Sequence, residues 1–205
     1  MTMDYKFINN ESDRTIVLLH GTGGDENDLI FIGQQIDPKA NLLGLRGRIN
    51  EHGMNRFFRR IKPGVFDIDN LVEETKYLHK FLQTFAKINQ LDSSKMVLLG
   101  FSNGANIIAS LIYHYGKFYR AHILLHPMIP IKDFKVVKQD HSLVFISAGD
   151  NDPIVPFSEA KDLVEILEKH GAEVEFKVYS FGHSLSEKEL IDIQKFYKKK
   201  VIKSS

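Results

Sequence analysis

Apolar residues along this chain fall into short continuous blocks, separated by longer stretches in which they recur every three or four positions. The blocks Thr15 to Leu19, Leu42 to Leu45, Met96 to Leu99, Ala121 to Leu125, Leu143 to Ile146 and Val174 to Tyr179 are mostly Val, Ile, Leu or Phe. Runs of that kind predict strands buried on both faces, not the alternation of a half-exposed sheet. Tyr5 to Ile8 reads as an edge strand. Between the blocks, Leu71, Leu78, Phe81, Leu82, Phe85 and Ile88 keep helical spacing behind two candidate N-caps, Asp67 and Asp69. Ala160, Leu163, Val164 and Leu167 repeat that spacing and stop at Gly171, a residue suited to the left-handed position past a helix end. Ser186 with Glu189 predicts a capping box opening a last helix through Leu190, Ile193, Phe196 and Tyr197.

Strand and helix in alternation give the α/β class: a mostly parallel central sheet of about seven strands with helices on both faces. Ligands in such sheets sit beyond the carboxyl ends of the strands. A chain of 205 residues at about 150 residues per domain predicts a single domain over residues 1–205. Lys+Arg 27 against Asp+Glu 26 leaves a net charge of +1, so no overall field favours nucleic acid or an anionic membrane. The absence of cysteine excludes disulfides, thiolate metal sites and a cysteine nucleophile. The start Met1 to Lys6 lacks a basic region followed by an apolar one, and no apolar run nears the roughly 20 residues that span a bilayer, so a cytoplasmic location is expected.

The polar clusters after the predicted strands carry the chemistry. Gly100-Phe101-Ser102-Asn103-Gly104 is G-x-S-x-G at a strand-to-helix turn, where small flanking residues allow a tight backbone that lifts a serine above the sheet. A serine hydroxyl is a weak nucleophile and needs an imidazole held by a carboxylate. Downstream, Gly149 to Pro156 offers Asp150 and Asp152, and Phe181-Gly182-His183-Ser184 offers His183. Asp152 is the preferred acid, with Asp150 as its competitor. Of the nine histidines, His52, His79, His114, His141 and His170 read as surface, and His122 and His126 as buried, hydrogen-bonded residues. His20 reads as a structural residue of the loop Leu19-His20-Gly21-Thr22-Gly23-Gly24; a metal site with Asp25 and Asp28 is its sharper alternative. That loop is not a phosphate cradle, since it lacks G-x-x-x-x-G-K-[ST]. Thr22 and Asn103 are the expected backbone oxyanion donors. The stretch Arg46 to Arg60 carries five arginines and reads either as a solvated loop or as a pocket wall, with Arg46, Phe57 and Phe58 facing substrate.

The set Leu19 to Gly24, Gly100 to Ala105, Gly149 to Pro156 and Gly182-His183 resembles the small bacterial carboxylesterases of the phospholipase/carboxylesterase family over nearly the whole chain. Arg46-Gly47 and Phe57-Phe58-Arg59-Arg60 are similar to its branch of hydrolases of the methylhydroquinone-stress response. The resemblance implies a compact α/β-hydrolase fold without a large lid and a triad of Ser102, Asp152 and His183. It also implies a small-molecule ester as substrate, no cofactor, and a homodimer of the kind that members often form; no metal is expected, since no tight ligand pair is supplied. Asn103 departs from the glutamine of many relatives, which leaves the backbone donor intact and alters the pocket shape. A thioesterase or lysophospholipase with the same triad, and a binding protein that keeps the fold without catalysis, are the competing expectations.

Overall fold

Short apolar runs flanked by helices must place their backbone donors and acceptors in a common sheet, and the registers show how this chain does so. The computed structural model describes residues 3–62 and 64–203; Met1 and Thr2, part of the start read for a leader, lie outside them. The strands are β1 (Tyr5–Ile8), β2 (Thr15–Leu19), β3 (Asn41–Leu45), β4 (Ile49–Glu51), β5 (Met54–Arg56), β6 (Arg60–Lys62), β7 (Val65–Phe66), β8 (Met96–Phe101), β9 (Ala121–Leu125), β10 (Leu143–Gly149) and β11 (Glu173–Tyr179). The helices are α1 (Ile30–Ile36), α2 (Ile68–Ile88), α3 (Asn103–Tyr115), α4 (Phe157–Lys169) and α5 (Glu187–Phe196). Seven strands form one sheet in the order β1-β3-β2-β8-β9-β10-β11. Among the described residues of this sheet, only β1 runs antiparallel to its neighbour.

Burial on both faces explains the continuous runs. Along β2, Val17 and Leu19 pack into the cluster that holds Leu71, Leu78 and Leu82 of α2, Ile108 of α3 and Leu163 of α4. Ile16 and Leu18 point the other way, against Ile30 and Ile36 of α1 and Ile193 and Phe196 of α5. The helix ends follow their predicted signals. Asp67 accepts from the Asn70 N–H at 3.1 Å, Gly171 has φ 95° just past α4, and Ser186 and Glu189 close both halves of the capping box.

The arginine-rich stretch differs from the loop expected of it, because it folds into two hairpins, β4–β5 and β6–β7. His52 and Gly53 both take positive φ, 54° and 84°, as the two central residues of a tight hairpin turn do. The Asn50 side chain accepts the Gly53 N–H at 3.0 Å and holds the turn.

The turn from β8 into α3 passes through Ser102 alone, at φ 52° and ψ −110°. A non-glycine residue there costs about 1–3 kcal/mol, so the surroundings must hold it. The Ser102 N–H donates to the Leu125 carbonyl at 2.8 Å. The backbones beside it touch: a Cβ on Gly104 would lie 2.2 Å from the Leu19 carbonyl oxygen, and one on Gly100 would lie 2.4 Å from the Gly104 carbonyl carbon. Far from this elbow, Asp37 fastens the other end of the sheet. It accepts from Arg14 Nε, Tyr197 Oη and the Lys39 N–H, each at 3.0 Å.

Two outcomes follow from this packing. Gly104→Ala forces backbone against backbone, and a urea melt is expected to show a loss of about 1–3 kcal/mol or more. Burial opposes the charge on Asp37, but Arg14, Lys39 and Tyr197 outweigh it and hold its pKa below the ordinary carboxylate value. A depressed folded pKa contributes stability that is full above the ordinary value and is lost as pH falls through the folded one. The urea midpoint is therefore expected to drop below about pH 4, and Asp37→Asn to start lower at neutral pH and to flatten that acid decline.

Candidate active site

Four neighbouring strands each deliver one side chain to the same edge of the sheet. Ser102 follows β8, His126 follows β9, Asp152 follows β10 and His183 follows β11. His183 Nε2 lies 3.0 Å from Ser102 Oγ, and His183 Nδ1 lies 2.6 Å from Asp152 Oδ2. These distances fix the tautomer: Nδ1–H donates to the carboxylate, and Nε2 is left to accept from the hydroxyl. The Phe101 ring lies 5.1 Å from the His183 ring on one side and the His126 ring 5.3 Å away on another, measured between centroids. Below it, the Gly182 N–H donates to Asn151 Oδ1 at 2.7 Å and ties the histidine loop to the aspartate loop.

Asp152 is 1% exposed through its side chain, so its charge is held by donors and not by water. Oδ1 accepts the N–H groups of Ile154 and Val155 at 2.8 and 2.9 Å, while Oδ2 accepts from His183 and from His126 Nδ1 at 3.0 Å. Burial alone pushes the carboxyl up, but these donors outweigh it and keep its pKa below the usual carboxylate value. Asp150 makes a different contact, accepting from Ser180 Oγ at 2.8 Å on the surface.

His126, read from the sequence as a buried and hydrogen-bonded residue, is both, and its contact with Asp152 brings it to the site. Its Nε2 lies 3.7 Å from Glu189 Oε2, so the capping-box glutamate, buried at 0% side-chain exposure, also faces this imidazole. Burial opposes a proton on His126, yet Glu189 and Asp152 together raise its pKa above the usual imidazole value. Position immediately after a strand, as for Ser102, was the only signal that could have found it.

His126, Asp152 and His183 bring three potential ligand atoms within 4.8 Å of one another. Both Nδ1 atoms, however, lie at hydrogen-bond length from one carboxylate oxygen, so each acts as an N–H donor in this arrangement. The metal alternative at His20 meets the same kind of competition. Its Nδ1 donates to the Gly21 carbonyl at 2.5 Å and its Nε2 accepts the Gly47 N–H at 3.0 Å, which commits both nitrogens to the backbone. Burial holds its pKa below the usual imidazole value, in keeping with a neutral ring.

A cavity of about 390 Å³ opens at Ser102, with Thr22 and Asn103 on its wall. Asn103 is the first residue of α3, whose N–H has no acceptor within the helix. Its side-chain Oδ1 accepts the Phe57 N–H at 2.7 Å, so the asparagine fixes the path of the arginine-rich segment. The three residues expected to face substrate lie elsewhere. Phe57 and Phe58 are 1% and 0% exposed, because Phe57 packs on His20 and Phe58 on Phe66 within the core. Arg46 forms a two-point contact with Glu26 at 2.5 and 2.8 Å. The wall is instead built by Arg56, Arg60, Phe66 and Met128.

Similar proteins share this arrangement of the chain. A family model described as Phospholipase/Carboxylesterase matches residues 6–201. The protein named "Putative hydrolase MhqD" from Bacillus subtilis (strain 168) is 39% identical over 200 residues, covering 98% of this chain and 100% of that one. The crystal structure of the Bacillus cereus carboxylesterase superposes with a TM-score of 0.93 at 38% identity, covering 96% of this chain and 94% of that one. The structure of YahD with malic acid gives 0.91 at 34% identity, covering 97% and 100%. Matched over nearly its whole length, the chain belongs to the phospholipase/carboxylesterase family and is a carboxylesterase-like hydrolase of the α/β-hydrolase fold.

Proposed function

We propose that this chain is a serine esterase that cleaves small carboxylic esters through an acyl-enzyme on Ser102. The observation that carries this reading is the unbroken line from Ser102 Oγ to His183 Nε2 at 3.0 Å and from His183 Nδ1 to Asp152 Oδ2 at 2.6 Å, at the mouth of the cavity. His183 takes the hydroxyl proton as the serine oxygen bonds to the ester carbonyl, and the carbonyl electrons move onto its oxygen. The N–H groups of Thr22 and Asn103 hold that oxyanion, and Asp152 stabilises the imidazolium that forms. As the tetrahedral species collapses, the bond to the alkoxy group breaks and His183 protonates the leaving oxygen. Water then gives a proton to His183 and its oxygen to the acyl carbon, and Ser102 leaves as the restored hydroxyl. A cavity of about 390 Å³ suits a short acyl or aryl group, at the small end of ligand sites of about 300–1,000 Å³.

Ser102→Ala is expected to lose about a millionfold in kcat on p-nitrophenyl acetate, the scale seen when a triad serine is removed. Asp152→Asn is expected to lose about ten-thousandfold with its fold intact, since the asparagine presents the wrong partner to Nδ1–H. Asp150→Asn, a surface change, is expected to stay within about twofold. Equal losses in the two asparagine variants, measured by steady-state kinetics with circular dichroism as the folding check, contradict the assignment of the acid.

A further inference from the structure

The five guanidinium groups of the arginine-rich segment are not equally neutralised. Arg48 forms a two-point contact with Glu74 at 3.1 and 2.8 Å and stacks 3.5 Å above the Tyr77 ring centre. Arg59 pairs with Asp67 at 3.0 Å, and Arg46 with Glu26. Each of these three has a carboxylate of its own. Arg56 and Arg60 instead share Glu51, at 3.3 and 3.9 Å. That carboxylate is further engaged, because its Oε1 accepts the Arg60 N–H at 3.2 Å.

The two arginines that share one acid are the two that line the cavity at Ser102. Glu159 stands on the opposite wall, but its own partners occupy it: Oε2 accepts the Ile129 N–H at 3.1 Å, and Oε1 lies 3.9 Å from Lys132 Nζ. On the wall that Arg56 and Arg60 form, two guanidiniums less one shared carboxylate leave one positive charge in excess. Arg56 is 4% exposed, so little of that charge is relieved by water, and burial together with the neighbouring Arg60 holds its pKa below the usual guanidinium value. Arg56 Nη1 also donates to Thr22 Oγ1 at 2.8 Å, which places the excess charge beside a residue proposed to polarise the ester carbonyl.

We infer that Arg60, backed by the buried Arg56, binds an anionic group of the substrate, so that the preferred esters are short ones that also carry a carboxylate. A single excess charge matches a carboxylate monoanion, and the planar fork of arginine matches its two oxygens. The aliphatic part of such an ester has Phe66, Met128 and Val155 to lie against. The inference rests on the esterase reading and adds the class of ester to it.

The test compares esters matched in size and, where the charge is on the acyl side, in leaving group. On the acyl side these are p-nitrophenyl hydrogen adipate and p-nitrophenyl hexanoate; on the alcohol side, p-acetoxybenzoate and p-acetoxybenzamide. The native protein is expected to favour the charged member of at least one pair by about tenfold in kcat/KM, the scale of one charge-assisted contact. Arg60→Gln is expected to abolish that preference and Arg60→Lys to restore part of it. The ratio within one sample cancels the concentration of folded enzyme, so a poorly folding variant cannot imitate the result. A native ratio near one in both pairs, or a preference that Arg60→Gln leaves in place, overturns the anion subsite while the esterase reading stands. If native protein and Ser102→Ala give the same rates on all four esters, the esterase reading fails and the subsite fails with it.

Discussion

An ionised carboxylate removed from water must be surrounded by donors, and the placing of Asp152 satisfies that constraint with parts of three loops. Desolvation of such a group costs several kcal/mol, and hydrogen bonds to charged groups return about 1.5–3 kcal/mol each, so one or two donors do not suffice. Asp152 has four: two from its own turn, one from His183 and one from His126. Satisfying the acid therefore sets the ring of His183, and the ring sets which nitrogen meets Ser102. The orientation of the site follows from the solvation of one buried charge.

The parallel sheet makes that convergence possible at small cost. Strands β8 to β11 are consecutive neighbours, and each ends at the same edge. Hydrogen bonds continue the ladder past the strand ends, from the Ser102 N–H to Leu125 and from the His126 N–H to Ser147. The residues that follow are thus placed by backbone geometry before any side chain interacts. The glycines at 100 and 104 complete the arrangement by letting the elbow approach the end of β2, where the loop bearing Thr22 begins.

Much of this was legible in the sequence because the signals were local. All seven strands of the main sheet, the Asp67 cap, the capping box and the G-x-S-x-G turn are patterns a few residues long, and each determines its own structure. The two hairpins between β3 and α2 were missed because their strands are short and mostly polar, and because His52 takes a positive φ in a turn where asparagine is the usual mark. The partner of His126 and the sharing of Glu51 were missed for a different reason. Each depends on which side chains meet across loops far apart in the chain, and no spacing records that. Phe57 and Phe58 read as wall residues by their nearness to the arginines, yet they turn inward, since burying large rings in the core gains more than exposing them to a small cavity.

The central claim is that His183 and Asp152 make Ser102 the one reactive hydroxyl of this chain. Reaction of the folded protein with a fluorophosphonate, followed by peptide mass spectrometry, measures this directly, because the reagent bonds to an activated serine and not to an ordinary one. The account predicts one adduct per chain, on the peptide that contains Ser102, and none in His183→Ala. An adduct on another residue, or a label on Ser102 that survives the loss of His183, would contradict it.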